Sequence, residues 1–442
     1  MLSVLANRTY RHLFIAQVIA LVGTGLATVA LGLLAWHIAG ENAGIVLGTA
    51  LAIKMIAYVS LAPIAATLAD RLPRRAMLVT LDLIRASVVI ALPFVTEVWQ
   101  IYVLIFLLQA ASAGFTPTFQ ATIPEILPDE ADYTSALSLS RLAYDLESLI
   151  SPMLAAALLT IISFPVLFVG TLVGFLCSAL MIVTVTLPAP RPTQKRGIWD
   201  RTTRGIRIYL ATPRLRGLLA LNMVVSATGA MVIVNTVVLI KTRFGLGEPE
   251  VALTLAAFGG GSMAAALILP RLLNRMSDRT PMIVGGLILV VGMVLGPLAG
   301  TLHALIALWF FVGFGYSLTL TPTGRLLSRS AQPEDRPAIF AAQFSLSHAC
   351  WLVTYPLAGQ LGAAFGLETT FLLLGILAAL ALITALRLWP ARLQDDLPHR
   401  HPDLPADHPH LTLDGSGEHH HPIIIDDLHQ HWPRTNSQTQ HT

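Results

Sequence analysis

Twelve long apolar runs constrain this chain more than any other feature. They fall at 13–37, 44–68, 76–95, 99–121, 134–161, 164–187, 216–240, 250–272, 281–300, 303–324, 337–364 and 367–389. A helix of ~20 apolar residues crosses the hydrocarbon core of a bilayer, and no soluble fold needs so many of them. Only 12% of the 442 residues are charged, against ~25% in a soluble domain, and mean hydropathy is +0.69. Most of the surface must therefore face something apolar. The sequence predicts an all-α integral membrane protein.

The basic residues lie in alternate gaps between runs. Arg8 and Arg11 precede the first run, Arg71, Arg74 and Arg75 fill the second gap, and Arg191 to Arg207 fill the sixth. Arg271, Arg275 and Arg279 fill the eighth gap, and Arg325, Arg329 and Arg336 the tenth. The opposite gaps hold only Lys241 and Arg243. By the positive-inside rule both termini are cytoplasmic, which implies a multi-pass protein of a bacterial inner membrane. The fourth gap, with Glu125, Asp129, Glu130 and Asp132, carries no Lys or Arg and is the exception to this pattern. A net charge of +3 spread this way reads as topology and excludes a nucleic-acid surface. Cys177 and Cys350 both lie inside apolar runs, so neither a disulfide framework nor a thiolate metal site is indicated. The run Leu13–Trp36 is too long for a signal peptide core and reads as the first anchor.

Landmarks recur 204 positions apart. Thr24-Gly25 matches Thr228-Gly229, Pro93 matches Pro297, Pro152 matches Pro356, and the charged loop Ala66–Arg75 matches Pro270–Arg279. Such an echo predicts two six-helix pseudo-repeats of parallel topology, 1–187 and 216–390, joined by a basic linker at 188–215 that is partly amphipathic helix. Asn274 stands where Asp70 does and Asp278 where Arg74 does, so the first loop is expected to carry the tighter gate.

The stretch Ala66-x-x-x-Asp70-Arg71-x-Pro73-Arg74-Arg75 resembles the loop 2–3 signature of the major facilitator superfamily, with Ala66 and Pro73 in place of two glycines. Asp82-x-x-Arg85 also fits that family. The resemblance implies the major facilitator fold and a gate network formed by Asp70, Arg71, Arg74, Arg75, Asp82 and Arg85. It implies a carrier rather than an enzyme, working as a monomer without a cofactor. The glycines of the family's fifth-helix antiporter motif are missing around Pro152. With its tail, the chain is most similar to the nickel-resistance permeases of the NreB type.

That tail, 391–442, holds ten of the fourteen histidines: His399, His401, His408, His410, His419, His420, His421, His429, His431 and His441. Imidazole and carboxylate without thiolate suit Ni(II), Co(II), Zn(II) or Cu(II). A segment this polar is expected to be disordered when metal-free, a coil of about 40 Å root-mean-square span. Inside the apolar runs, ionisable groups are costly and default to functional candidates. Asp145 and Glu147 are ~200° apart on one helix, so at most one readily faces a central cavity. Arg141 is placed to pair with Asp145 at i,i+4. Glu147 has no local partner and is the better candidate for a proton or metal. Lys54 needs a partner, and compensation of a carboxylate is its simplest role. His348 either bonds a carbonyl or joins a carboxylate in a weak metal site. His37 and His303 read as interface residues, and Asn222 and Asn235 as path-lining or helix-bridging groups. With no P-loop or catalytic triad, transport is expected to run on an ion gradient, protons first. The expected cargo is divalent nickel, with cobalt as a companion. The rivals are efflux of a siderophore or another organic compound under a metal-responsive tail, and a membrane metal buffer or sensor that does not transport.

Overall fold

A computed structural model describes the chain except for residues 1, 70–71, 188–197, 274–275, 333–334 and, toward the C-terminus, 392–398, 401–417, 420–422, 427–428, 430–431 and 433–442. Thirteen helices carry the described body. The first half comprises α1 (Arg8–Ala39), α2 (Ala43–Ala69), α3 (Arg74–Ala91), α4 (Val98–Ile126), α5 (Glu130–Leu158) and α6 (Phe164–Val183). The linker holds α7 (Ile198–Ala211). The second half comprises α8 (Pro213–Arg243), α9 (Glu248–Leu273), α10 (Arg279–Leu295), α11 (Leu302–Leu320), the short α12 (Thr323–Ser328) and α13 (Arg336–Leu388). α13 is two spans. Gly366, at φ 78°, breaks it into arms on either side, a conformation that a side chain would oppose.

Nine stretches of described helix are long and apolar enough to cross a membrane. Two of them, Arg8–Leu61 and Ala338–Leu388, hold two spans each, and α5 makes the twelfth span. In lipid every backbone group must be satisfied within the helix, so the ends are where the sequence intervenes. Asn7 accepts from the Tyr10 amide, Thr301 accepts from the Ala304 amide, and Glu97 with Gln100 forms a capping box at α4. Prolines open α6 and α8, where a missing amide costs nothing. Large apolar side chains stay exposed on the outside, among them Phe94, Trp99, Ile161, Leu267, Phe311 and Phe365. They form the face that a bilayer covers. α8 is the enclosed helix, with 89% of its apolar window buried, and it packs along α13.

The repeat is visible in side-chain chemistry. Arg74, at the start of α3, pairs with Glu125 at the end of α4 at 2.7 Å. The positions 204 residues on are Asp278 and Arg329, 3.6 Å apart, with Arg325 also on Asp278 at 2.5 Å. The same bridge is made in both halves with its signs exchanged. Arg75 donates to the Val183 carbonyl at 2.6 Å, and its counterpart Arg279 donates to the Trp389 carbonyl at 2.7 Å. Each thus ties the third helix of its half to the end of the last. These bridges lie at the end of the bundle where α7 leaves α6.

α7 is docked there on the second half. Arg204 grips the Asp335 carboxylate at 2.6 and 3.0 Å, and the Tyr209 hydroxyl donates to Gln343 at 2.5 Å. Burial pushes the Tyr209 phenol up from its usual pKa, so it remains a donor. Gly205 lets α7 approach α13, since a Cβ there would land on the Ala338 carbonyl. The linker is therefore partly amphipathic helix, seated by specific bonds.

At the opposite end the halves meet through α2 and α13. A Cβ on Gly359 would land on the Gly44 carbonyl, and one on Gly48 on the Tyr355 carbonyl. Such backbone approach needs small residues. Gly359→Leu is expected to force this seam apart at ~1–3 kcal/mol, roughly tenfold or more in occupancy of the state sealed here. Transport should fall while far-ultraviolet circular dichroism stays helical. Wild-type transport by Gly359→Leu would show the seam to be dispensable.

Candidate functional site

Three charged or titratable side chains from three helices converge near the middle of the bundle. α2 supplies Lys54, α5 supplies Glu147, and the first arm of α13 supplies His348. Lys54 and Glu147 feel each other's charge, and Lys54 also acts on His348. Neither Lys54 nor Glu147 has a salt-bridge partner within 4.0 Å among the described residues. The ammonium is therefore a loose counter-ion, near the carboxylate and His348 but clamped to neither.

Local packing sets each group. Glu147 lies beside α1 at Gly25, where a Cβ would sit on Ser151 and 3.3 Å from Glu147 Oε1. The glycine keeps α1 out of the way of the carboxylate. Lys54 lines a small cavity of about 30 Å³ within the first half. Thr24, Thr28, Gln109, Ser112 and Thr171 supply its polar wall and Leu31, Leu51, Ile105, Leu108 and Phe175 its apolar one. His348 packs against Phe344, with ring centroids 3.9 Å apart, and stacks at 6.0 Å on Tyr58 of α2. Its Nδ1–H donates to the Phe344 carbonyl at 2.7 Å. That bond fixes the tautomer and leaves the Nε2 lone pair for a proton or a cation.

The repeat makes this centre asymmetric. Counterparts of Glu147 and Lys54 at the 204-residue offset are Trp351 and Phe258. Trp351 packs on Tyr355 at 4.8 Å and crowds Gly229 as Glu147 crowds Gly25. Phe258 meets Tyr316 edge-on at 5.3 Å. Lys54 and Glu147 are thus matched in the second half by two aromatic residues.

The gate residues bond within the first half. Asp82 is fully buried, paired with Arg85 on α3, and accepts from Ser178 of α6 at 2.7 Å. The Arg85 guanidinium lies 4.1 Å from the Phe115 ring centroid and 4.5 Å from that of Phe175. Arg74 and Arg75 make the bridges given above. These bonds brace α3, α4 and α6 against one another. Asp70 and Arg71 lie outside the described residues. Among the described residues Asp278 meets Arg325 and Arg329, and Arg74 meets Glu125.

Asp145 and Arg141 have side chains outside the described part, as do His399 and His419. His401, His408, His410, His420, His421, His431 and His441 lie outside it entirely. The backbone of β1 (His399–Arg400) and β2 (Glu418–His419) pairs antiparallel, with His399 opposite His419. Among the described residues no group of three His, Cys, Asp or Glu is placed to hold a metal. Asn235 bridges α8 to the Ala358 carbonyl at 3.0 Å, whereas the Asn222 amide nitrogen has no partner among the described residues.

Two features escaped the sequence reading. Gln109 and the threonines of the cavity carry no charge and stand out in no pattern. The apolar triplet Ile423–Ile425 and Trp432 were visible as apolar residues in a polar tail, and the structure buries or half-buries them.

A sequence profile of the Major Facilitator Superfamily matches residues 13–226 and 218–419. The multidrug efflux pump Tap of Mycolicibacterium fortuitum is 26% identical over 382 residues, 82% of this chain and 91% of that protein. The uncharacterized MFS-type transporter YfiS of Bacillus subtilis (strain 168) is 25% identical over 338 residues, 73% and 80%. Among solved structures, a bacterial homolog of the human lysosomal transporter Spinster, inward-facing and unoccupied, superposes with a TM-score of 0.70 at 13% identity. That match covers 86% of this chain and 96% of the other.

Proposed function

The chain belongs to the Major Facilitator Superfamily, and from that premise we propose that it expels divalent nickel or cobalt in exchange for protons. It is a multi-pass secondary transporter, not an enzyme. The nickel reading is carried by one observation, the ten histidines and interspersed carboxylates of the last 52 residues. That ligand set matches borderline divalent cations. In this reading the protein sits in a bacterial inner membrane as a monomer with both termini in the cytoplasm.

The centre supports cation exchange through competition. Lys54 stands in for the cargo's charge beside Glu147 when the site is empty. A divalent cation arriving from the cytoplasm takes the Glu147 carboxylate and the His348 Nε2, with water in its other positions, and Lys54 gives way. Two protein ligands hold a metal weakly enough for it to leave. Protonation of Glu147 from the outside removes the anionic ligand, and the cation departs. The test is nickel uptake into inverted membrane vesicles with an imposed acid interior. Gradient-dependent accumulation is expected, and its absence would end the reading.

Efflux of an organic solute is the second reading. The aromatic wall of Trp351, Tyr355, Phe258 and Tyr316 favours it, as does the resemblance to a multidrug efflux pump. Growth of strains with and without the gene separates the two. Tolerance confined to nickel and cobalt supports the first, and tolerance confined to organic toxicants supports the second.

A further inference from the structure

The described part of the tail is seated on the body. Ile423 and Ile425 are 0% and 4% exposed and His429 is 6% exposed. Ile425 and Trp432 belong to the main apolar cluster that also contains Leu215 and Leu218 of α8 and Leu326 and Leu327 of α12. The Trp432 ring lies 5.8 Å from the Arg214 guanidinium. Arg214, in the first turn of α8, donates to the Ser330 hydroxyl at 2.8 Å and to the Arg329 carbonyl at 3.1 Å. One arginine thus joins the start of α8, the connection after α12 and the tail. Between the isoleucines and the tryptophan the chain turns on Asp426, whose carboxylate accepts from the His429 amide at 2.8 Å and from its ring Nδ1 at 3.1 Å. Asx turns of this kind reverse a chain without a ladder.

We propose that residues 423–432 are an internal docking anchor that seats the tail on the α8–α12 end of the second half. The sequence has the composition for it: three consecutive isoleucines and a tryptophan in an otherwise polar segment. The short strand β1 pairs with β2 just before the anchor, with His399 opposite His419. The histidine-bearing stretch 399–421 is then tethered at both ends beside the α7 end of the bundle. A tethered ligand stretch has a much higher local concentration at the transport entrance than the same stretch on a free coil. This use of the anchor rests on the metal reading above, whereas the docking does not.

The test is hydrogen–deuterium exchange on the full chain in detergent or nanodiscs, without metal. Amides of 423–432 are expected to exchange at least about tenfold more slowly than an unstructured chain. Ile425→Asp and Trp432→Ala are expected to bring them to the unstructured rate while peptides from α8 and α13 keep wild-type protection. Free exchange of 423–432 in the wild type would overturn the anchor, as would full protection in Ile425→Asp. Protection with no nickel uptake in vesicles would leave the anchor standing and remove only the cargo assignment.

Discussion

Glu147→Gln is expected to reduce proton-driven efflux by roughly 100-fold or more, the range that a lost proton-transfer group commonly costs. Glutamine keeps the size and the hydrogen-bonding oxygen beside Gly25 and removes the charge and the exchangeable proton. The Lys54 ammonium then loses the Glu147 charge, and proton carriage through this position is lost. Glu147→Asp shortens the side chain but retains a carboxylate, and it should keep measurable activity. Counterflow of cargo without a gradient tells more than net efflux. If Glu147 carries only the proton, Glu147→Gln still exchanges cargo. If it also binds cargo, exchange is lost as well. Full gradient-driven efflux by Glu147→Gln would remove Glu147 from the mechanism. Deleting 391–442 should impair tolerance less than Glu147→Gln does. The reverse order, with Glu147→Gln harmless, is what a non-transporting metal buffer would give.

Arg85→Ala is expected to destabilise the first half by about 3–5 kcal/mol, since it leaves the fully buried Asp82 carboxylate without its cation. In a chain of this size that corresponds to a fall of roughly 3–5 °C in the apparent Tm, read by intrinsic fluorescence in detergent. Arg85→Lys should not rescue it. The guanidinium lies over both Phe115 and Phe175 while it holds Asp82, and an ammonium presents no plane to two rings. The double variant Asp82→Asn/Arg85→Leu should recover most of the loss, because it removes the charge together with its partner. A melting temperature for Arg85→Ala within about 1 °C of wild type, on the order of 1 kcal/mol or less, would show that water or another cation reaches Asp82.

The class of the fold was legible because its cause is local. Hydropathy over about 20 residues decides whether a helix enters a bilayer, and that sum is read from consecutive letters. The spans expected at 13–37 and 216–240 are α1 and α8, and the break between 337–364 and 367–389 falls at Gly366. The 204-residue echo was legible for the same reason, through glycines and prolines that each mark backbone geometry on their own. Roles inside the bundle were less legible. Asp82 and Arg85 follow a gate motif in the sequence, yet their bonds brace α3 against α4 and α6. The echo at Asp278 looked like a weakened copy of the first loop. It is a bridge with reversed signs, because Arg329 stands where Glu125 does.

The sequence by itself determined that the chain is a twelve-span, two-half membrane protein with a histidine-rich composition at one end. Only the tertiary structure decided that Lys54 lies near Glu147 and His348, that the second-half counterparts of Lys54 and Glu147 pack on aromatic rings, and that Ile425 and Trp432 join the apolar core from the tail. The physical reason is rotational. Helical spacing tells which residues share a face, but the face that turns toward a given neighbour depends on how all the helices pack. Lys54, Glu147 and His348 are far apart in the chain, and packing alone brings them together.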